Sequence, residues 1–246
     1  MGIEFGPIAG LDFFKLTRLQ SEWEDRYPNM SEQPGIPPAP PMGEGMPMMQ
    51  FMIGEPPRRI WAAGSDNGLL IQTQGDRLIL NWRKSETTQP YPGYSTSLRN
   101  EYSQLWATFK AFLERTGTPL PVPVISEFTY VNSVPLAESD SLHDVLTLVS
   151  APTDEVPGRD TFGRFQFIRE VSESATDPFS AQIQISGEPQ MGENGRQLAF
   201  TVVARVILGA RWNEPLAGLD AAHSLASHTF SRIVTRAKQE QWGRIQ

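Results

Sequence analysis

The stretch GDRLILNWRKSETTQPYPGYSTSLRNEYSQLWATFKAFLER, Gly75 to Arg115, decides the fold class, because the apolar period inside it changes from two residues to that of a helix. Leu78, Leu80 and Trp82 share one face of a strand. Upstream, Leu69 and Ile71 do the same, and Gly75-Asp76 between the two runs predicts a two-residue hairpin turn of type II′. Downstream, Leu98, Tyr102, Leu105, Phe109 and Phe112 recur at steps of four and three, which predicts a long amphipathic helix with Ser95 as its N-cap. Gly117 and Pro119 then stop it.

Working outward, Asp12 to Tyr27 reads as a helix with Leu16, Leu19, Trp23 and Tyr27 inward and Pro28 just beyond its end. Pro34 to Pro57 reads as an arm, because its Pro and Gly content removes donors and fixes φ. A strand is expected at Val124 to Val134, with Val124, Phe128, Tyr130 and Val134 on one face and Asn132 among them, in need of a partner. Farther on, Phe165, Phe167 and Val171 suggest a strand, and Phe179, Ala181, Ile183 and Ile185 alternate with Ser180, Gln182, Gln184 and Ser186, one face being wet. MGENGR turns the chain into a return strand from Leu198 to Leu208, and Leu219, Ala222, Ala226, Phe230, Ile233 and Ala237 stripe a second long helix. The expected class is α+β: an antiparallel sheet or sheets covered on one side by two long helices. The halves, residues 1–135 and 136–246, share the order hairpin, loop, helix, as an internal duplication would, and are expected to form one compact unit.

The 246 residues, 39% of them hydrophobic, suffice for a substantial core. With 21 basic and 28 acidic residues the formal charge is −7, a field that repels nucleic acid and anionic membrane. Zero cysteines exclude disulfides and thiolate chemistry and fit a reducing cytoplasm. No apolar run reaches the roughly 18 residues of a membrane span. The start, MGIEFGPIAGLDFF, lacks a basic leader, so a cytoplasmic protein is expected.

Catalytic signatures are scarce. No G-x-S-x-G elbow, G-x-x-x-x-G-K-[ST] loop or G-x-G-x-x-G occurs, and AGSDNG around Ser65 is one residue out of pattern. His223 and His228 are five apart, about 140° around a helix, whereas chelation favours i and i+4. In RLILNWRK a nuclease would carry a metal-binding acid near Lys84, yet Asn81, Trp82 and Arg83 stand there. No metal and no cofactor is expected. The methionines of the arm, without His or Cys beside them, suit adaptable packing better than Cu(I).

LLIQTQGDRLILNWRK, YPGY, RNEYSQLWATFKAFLE, SEFTYVNSVPL, YPNMSEQPGIPP and the terminal helix ending in WG together resemble a sporadically distributed, functionally uncharacterised bacterial protein family of about this length. The likeness runs from the first helix to the C-terminus. It implies no activity, and the patchy distribution implies a paired or defence-associated setting. Such proteins open with a longer strand, whereas only IEFGPI precedes the helix here.

Arg83 and Lys84 at a strand end, Tyr91 and Tyr94 in the next loop and Ser95 at a helix start form a candidate anion site. The plain structural reading is that Arg83 pairs with Glu86 or Glu101 and that both tyrosines brace the loop. The expected function is non-catalytic interaction, with a protein partner or a homodimer held through Met46, Met48, Met49, Phe51 and Met52 of the arm. The alternative is a small-molecule or anion-binding domain with a pocket between sheet and helices, enzymatic or not, in which Asn132 orients the ligand.

Overall fold

The computed structural model describes residues 1–37, 58–65, 68–84, 91–137, 140, 142–148, 164–172, 180–192, 195–209 and 214–241. Among the described residues there are nine strands: β1 (Gly2–Phe5), β2 (Asn29–Pro34), β3 (Arg58–Ala63), β4 (Leu69–Gln74), β5 (Arg77–Trp82), β6 (Pro123–Pro135), β7 (Phe165–Val171), β8 (Ala181–Gly192) and β9 (Gly195–Ile207). The helices are α1 (Phe13–Gln20), α2 (Arg99–Arg115), α3 (Leu142–Val145), α4 (Pro215–Ile233) and α5 (Arg236–Gln241). The strands are hydrogen-bonded in one antiparallel sheet, in the order β2-β3-β4-β5-β1-β6-β9-β8-β7.

This overturns the expected sheet or sheets covered on one side by two long helices, and the hairpin-loop-helix duplication falls with it. The chain forms two compact units, residues 1–127 with 206–220 and residues 128–205 with 221–246. The helix α2 belongs to the first and residues 221–233 of α4 to the second. The physical reason is that β1 and β2 carry almost no period-two signal of their own, and the short alternation of β3 directly follows a Pro-rich run that reads as irregular chain. The strand β1 is four residues long, β2 is NMSEQP, and β3 follows directly on Pro56-Pro57. Each is specified by the neighbour it pairs with rather than by its own pattern.

In the first unit β4 and β5 run from Leu69 opposite Trp82 to Gln74 opposite Arg77, which leaves the expected two-residue loop Gly75-Asp76. Gly75 does not take positive φ, so the turn is not type II′. Ile3, Ile60, Ile71, Leu78 and Leu80 are buried on one sheet face. The helix α2 is fixed to this unit by the Tyr102 hydroxyl, which donates to the Leu78 carbonyl at 2.8 Å, and by Phe109, whose ring stacks on Phe5 at 5.5 Å. The start of α2 is not capped by Ser95. A π-helical turn, Tyr94–Leu98, leads into it from Gly93, whose φ of 78° favours glycine. Its end is as expected: Gly117 turns at φ 62°, and the Thr118 amide donates to the Leu113 carbonyl. The helix α1 is shorter than expected. After Gln20 the chain tightens to i→i−3 bonds through Arg26, which still carries Trp23 and Tyr27 inward.

In the second unit Leu198, Phe200, Val202 and Ala204 of β9 are buried, as are Ala222, Ala226, Phe230 and Ile233 of α4. The Phe200 and Phe230 rings stack at 5.5 Å. The polar side of β8 is not uniformly wet: Gln182 is buried, and Arg205 Nη1 donates to both Gln182 Oε1 at 3.2 Å and Gln184 Oε1 at 3.3 Å. The expected stripe breaks at its end. A bridge between Leu146 and Val234 interrupts the helix, so Ala237 is exposed while Lys238 and Gln239 turn inward. Gln239 Nε2 then donates to the carbonyls of Ser231 and Val234, and Lys238 Nζ pairs with Asp140 at 2.5 Å.

Two substitutions separate packing from hydrogen bonding in the first unit. Urea unfolding should show Phe109→Ala losing about 3–5 kcal/mol and Tyr102→Phe only about 1 kcal/mol. Equal losses would mean that the hydroxyl, not the ring layer, holds α2.

Candidate functional site

The residues singled out in the sequence divide. Arg83 and Lys84 follow β5 and are exposed. The Tyr91 ring meets Trp82 edge-on at 5.3 Å. Ser95 is exposed within the π-helical turn. Tyr94 is buried, and its hydroxyl donates to Asp220 Oδ1 at 2.7 Å. Asp220 also receives Arg99 Nε at 2.7 Å and Arg99 Nη2 at 2.8 Å, so Tyr94 is gathered with Arg99 and Asp220. Glu101, one of the two acids suggested for Arg83, accepts instead from Tyr27 and Arg26, and the other, Glu86, lies outside the described residues. So do Met46, Met48, Met49, Phe51 and Met52. Among the described residues no group of three or more His, Asp or Glu is placed to hold a metal.

The charged groups that do converge lie on the other face of the first unit's sheet. Period two dictates the set. Since Ile60 and Ala62 of β3 are buried with Ile71 and Leu78, the intervening Arg59, Trp61, Gln72, Gln74, Arg77 and Glu4 point the opposite way. Register sets Trp61 against Gln72, Gln74 against Arg77, and Arg77 against Glu4.

Arg77, only 4% exposed, is fully answered. Its Nε donates to Asp76 Oδ1 at 3.1 Å, its Nη2 to Asp76 Oδ2 at 3.0 Å and its Nη1 to Glu4 Oε1 at 3.4 Å. Burial works against the charge, but the Asp76 bonds and the charges of Glu4, Asp76 and Glu127 prevail and raise its pKa. Gln74 Nε2 adds a bond to Asp76 Oδ1 at 2.9 Å. The same amide clamps the chain beyond β2, accepting from the Ile36 amide at 2.8 Å and donating to the Ile36 carbonyl at 2.9 Å.

Arg59 is answered differently. Its Nη1 donates to Gln72 Oε1 at 2.6 Å, an oxygen that also accepts from Trp61 Nε1 at 3.1 Å, and its guanidinium lies over the Trp61 ring at 5.2 Å. Its Nε is buried without an acceptor among the described residues. Burial, then the like charge of Arg77, lower its pKa. Sequence reasoning passed over Arg59 because Arg58-Arg59 closes the Pro- and Met-rich arm. The one available signal was RRIWAA, where Ile60 and Ala62 alternate with Arg59 and Trp61.

In the second unit β6 places Phe128, Tyr130 and Asn132 on one face. The Tyr130 hydroxyl lies 3.2 Å from Ser227 Oγ, which lies 3.3 Å from His223 Nε2, and the His223 ring meets Phe128 edge-on. Asn132 Nδ2, for which a partner was expected, is buried without an acceptor among the described residues.

Burial first, then hydrogen bonds to Glu101 and Asp220, hold the phenols of Tyr27 and Tyr94 well above the usual range, and burial does the same at Tyr102. A phenol raised in the folded state stabilises fully below its unfolded value, about 10, and that stability is lost as pH climbs from there toward the folded value. Urea unfolding between pH 8 and 11 should therefore show stability falling above pH 10. The fall should be shallower in Tyr94→Phe, and an unchanged slope would count against the burial of this phenol.

No protein-family model, no curated protein and no solved structure matches the chain, so the resemblance noted in the sequence lends no activity and geometry carries the functional reading.

Proposed function

We propose that the protein is a non-catalytic binding protein whose first unit recognises an anionic group on the sheet face around Arg59. The observation that carries this reading is the imbalance between two neighbouring guanidiniums. Arg77 has Asp76 and Glu4, whereas Arg59 has a neutral amide, an indole and a buried Nε with no acceptor among the described residues. The Arg59 guanidinium is half-buried with no acid beside it among the described residues, so an anion from solution can supply the countercharge that the free protein lacks. Charge-assisted bonds to a guanidinium are among the stronger available in a protein. With a formal charge of −7 the surrounding field favours a compact anion over a polyanion. Calorimetric titration with inorganic phosphate should show saturable binding that weakens at least roughly tenfold, about 1.4 kcal/mol, in Arg59→Met and not in Arg83→Met. Loss in Arg83→Met alone would return the site to the loop after β5.

Self-association is a second reading, favoured by Phe167 and Ile168, which are 42% and 43% exposed on opposite faces of the strand that ends the sheet order. An antiparallel pairing of two copies centred on Ile168 sets Phe167 against the partner's Arg169 and Phe165 against the partner's Val171, a cation–π pair and an aromatic–β-branched pair. Light scattering should give a dimer for the native chain and a monomer for Ile168→Lys. A native chain that is monomeric at high concentration ends this reading.

A further inference from the structure

Between α2 and β6 the chain reads Thr118-Pro119-Leu120-Pro121-Val122-Pro123, with a proline at every second place. Each proline fixes its own φ at about −65°, and its ring bars the residue before it from the helical region. Residues 118–123 are therefore confined by their own sequence to extended backbone of the polyproline kind.

The first unit grips this segment at both ends and leaves its middle bare. At one end Thr118 is buried, its amide donates to the Leu113 carbonyl at 2.9 Å, and its hydroxyl accepts from Lys15 Nζ at 2.9 Å. At the other end the Val122 carbonyl accepts from the Gly6 amide at 3.1 Å, and Pro123 pairs with Phe5 of β1. Between these anchors Pro119, Leu120 and Pro121 make no main-chain hydrogen bond among the described residues. Leu120 is 47% exposed and Val122 71%. Three residues per turn put Pro119 and Val122 on one edge of the rod, about 9 Å apart. Both are exposed.

Single exposed apolar side chains are ordinary. Here they stand on a backbone already held in one conformation, so a partner loses little to ordering it. Residues 116–126 include no charged side chain, so the complementary surface is uncharged as well. An uncharged proline rod whose carbonyls lack donors matches one kind of surface, a groove walled by aromatic side chains. Such a groove stacks on the proline rings and supplies indole or phenol donors to the carbonyls.

We propose that residues 118–123 are a docking segment for a partner protein with an aromatic-walled polyproline groove. Pro119 and Val122 enter the groove, and the carbonyls of Pro119, Leu120 and Pro121 accept hydrogen bonds from it. This surface is independent of the anion site at Arg59.

The test titrates the full chain into three isotope-labelled probes that carry such grooves, an SH3, a WW and an EVH1 domain. At least one should show saturable shifts confined to its aromatic groove, and a proline-rich peptide that fills the groove should reverse them. Val122→Lys, at an exposed position, should weaken the binding at least roughly tenfold. Pro121→Ala, which frees the backbone of Leu120, should weaken it by roughly two- to fivefold. Val131→Lys, likewise exposed but on β6 of the second unit, should leave it unchanged, and all three variants should keep the native circular dichroism. The proposal is overturned if no probe shifts, if the shifts lie outside the groove, or if Val122→Lys binds as the native chain does.

Discussion

The charge of Arg77 is the constraint on which the first unit's outer sheet face depends. A guanidinium that is 4% exposed would be costly to bury alone, and its cost is met only if acids come to it from neighbouring strands. Asp76 comes from the turn before β5 and Glu4 from β1 on the far side, so β1 and β5 are tied by an ion pair as well as by the ladder. Gln74 links the same Asp76 to the chain beyond β2. One buried cation thus fixes the side chains of two strands and a turn, and it uses up the acids within reach. Among the described residues Arg59 is left without an acid beside it.

Much of this was legible where one face of an element is apolar and the other polar. The β4–β5 hairpin, the stripe of α2 and the buried side of β9 follow from period alone, because burial selects the residues at every second or every third and fourth position. The pattern failed where an element is too short or too polar to show a period. The strand β2 is exposed nearly throughout and exists because β3 offers it a ladder. At the end of α4, Ala237 continued the apolar spacing, but the bridge at Val234 restarted the helix with a new phase, and Lys238 took the inward place.

The candidate site shows the same limit in another form. A run such as Arg83-Lys84 is conspicuous in a sequence, yet at an exposed strand end both side chains can be solvated by water, and charge there selects little. What marks Arg59 is that no acid among the described residues stands beside it, and that depends on register: which residues of β2 and β4 stand across from those of β3. Register follows from the whole sheet, so the mismatch between Arg59 and Gln72 had no local signature.

The Gln74 clamp bears on which positions tolerate substitution. It reads only main-chain atoms of Ile36, one amide and one carbonyl, so the clamp itself sets no requirement on the side chain there beyond a backbone N–H. Position 74 is the opposite case. Its side chain must donate and accept at once and must reach Asp76 as well, which glutamate cannot do for want of a donor and asparagine cannot do for want of length. A family of homologous chains built on this plan would drift at 36, where only proline removes the donor, and hold still at 74.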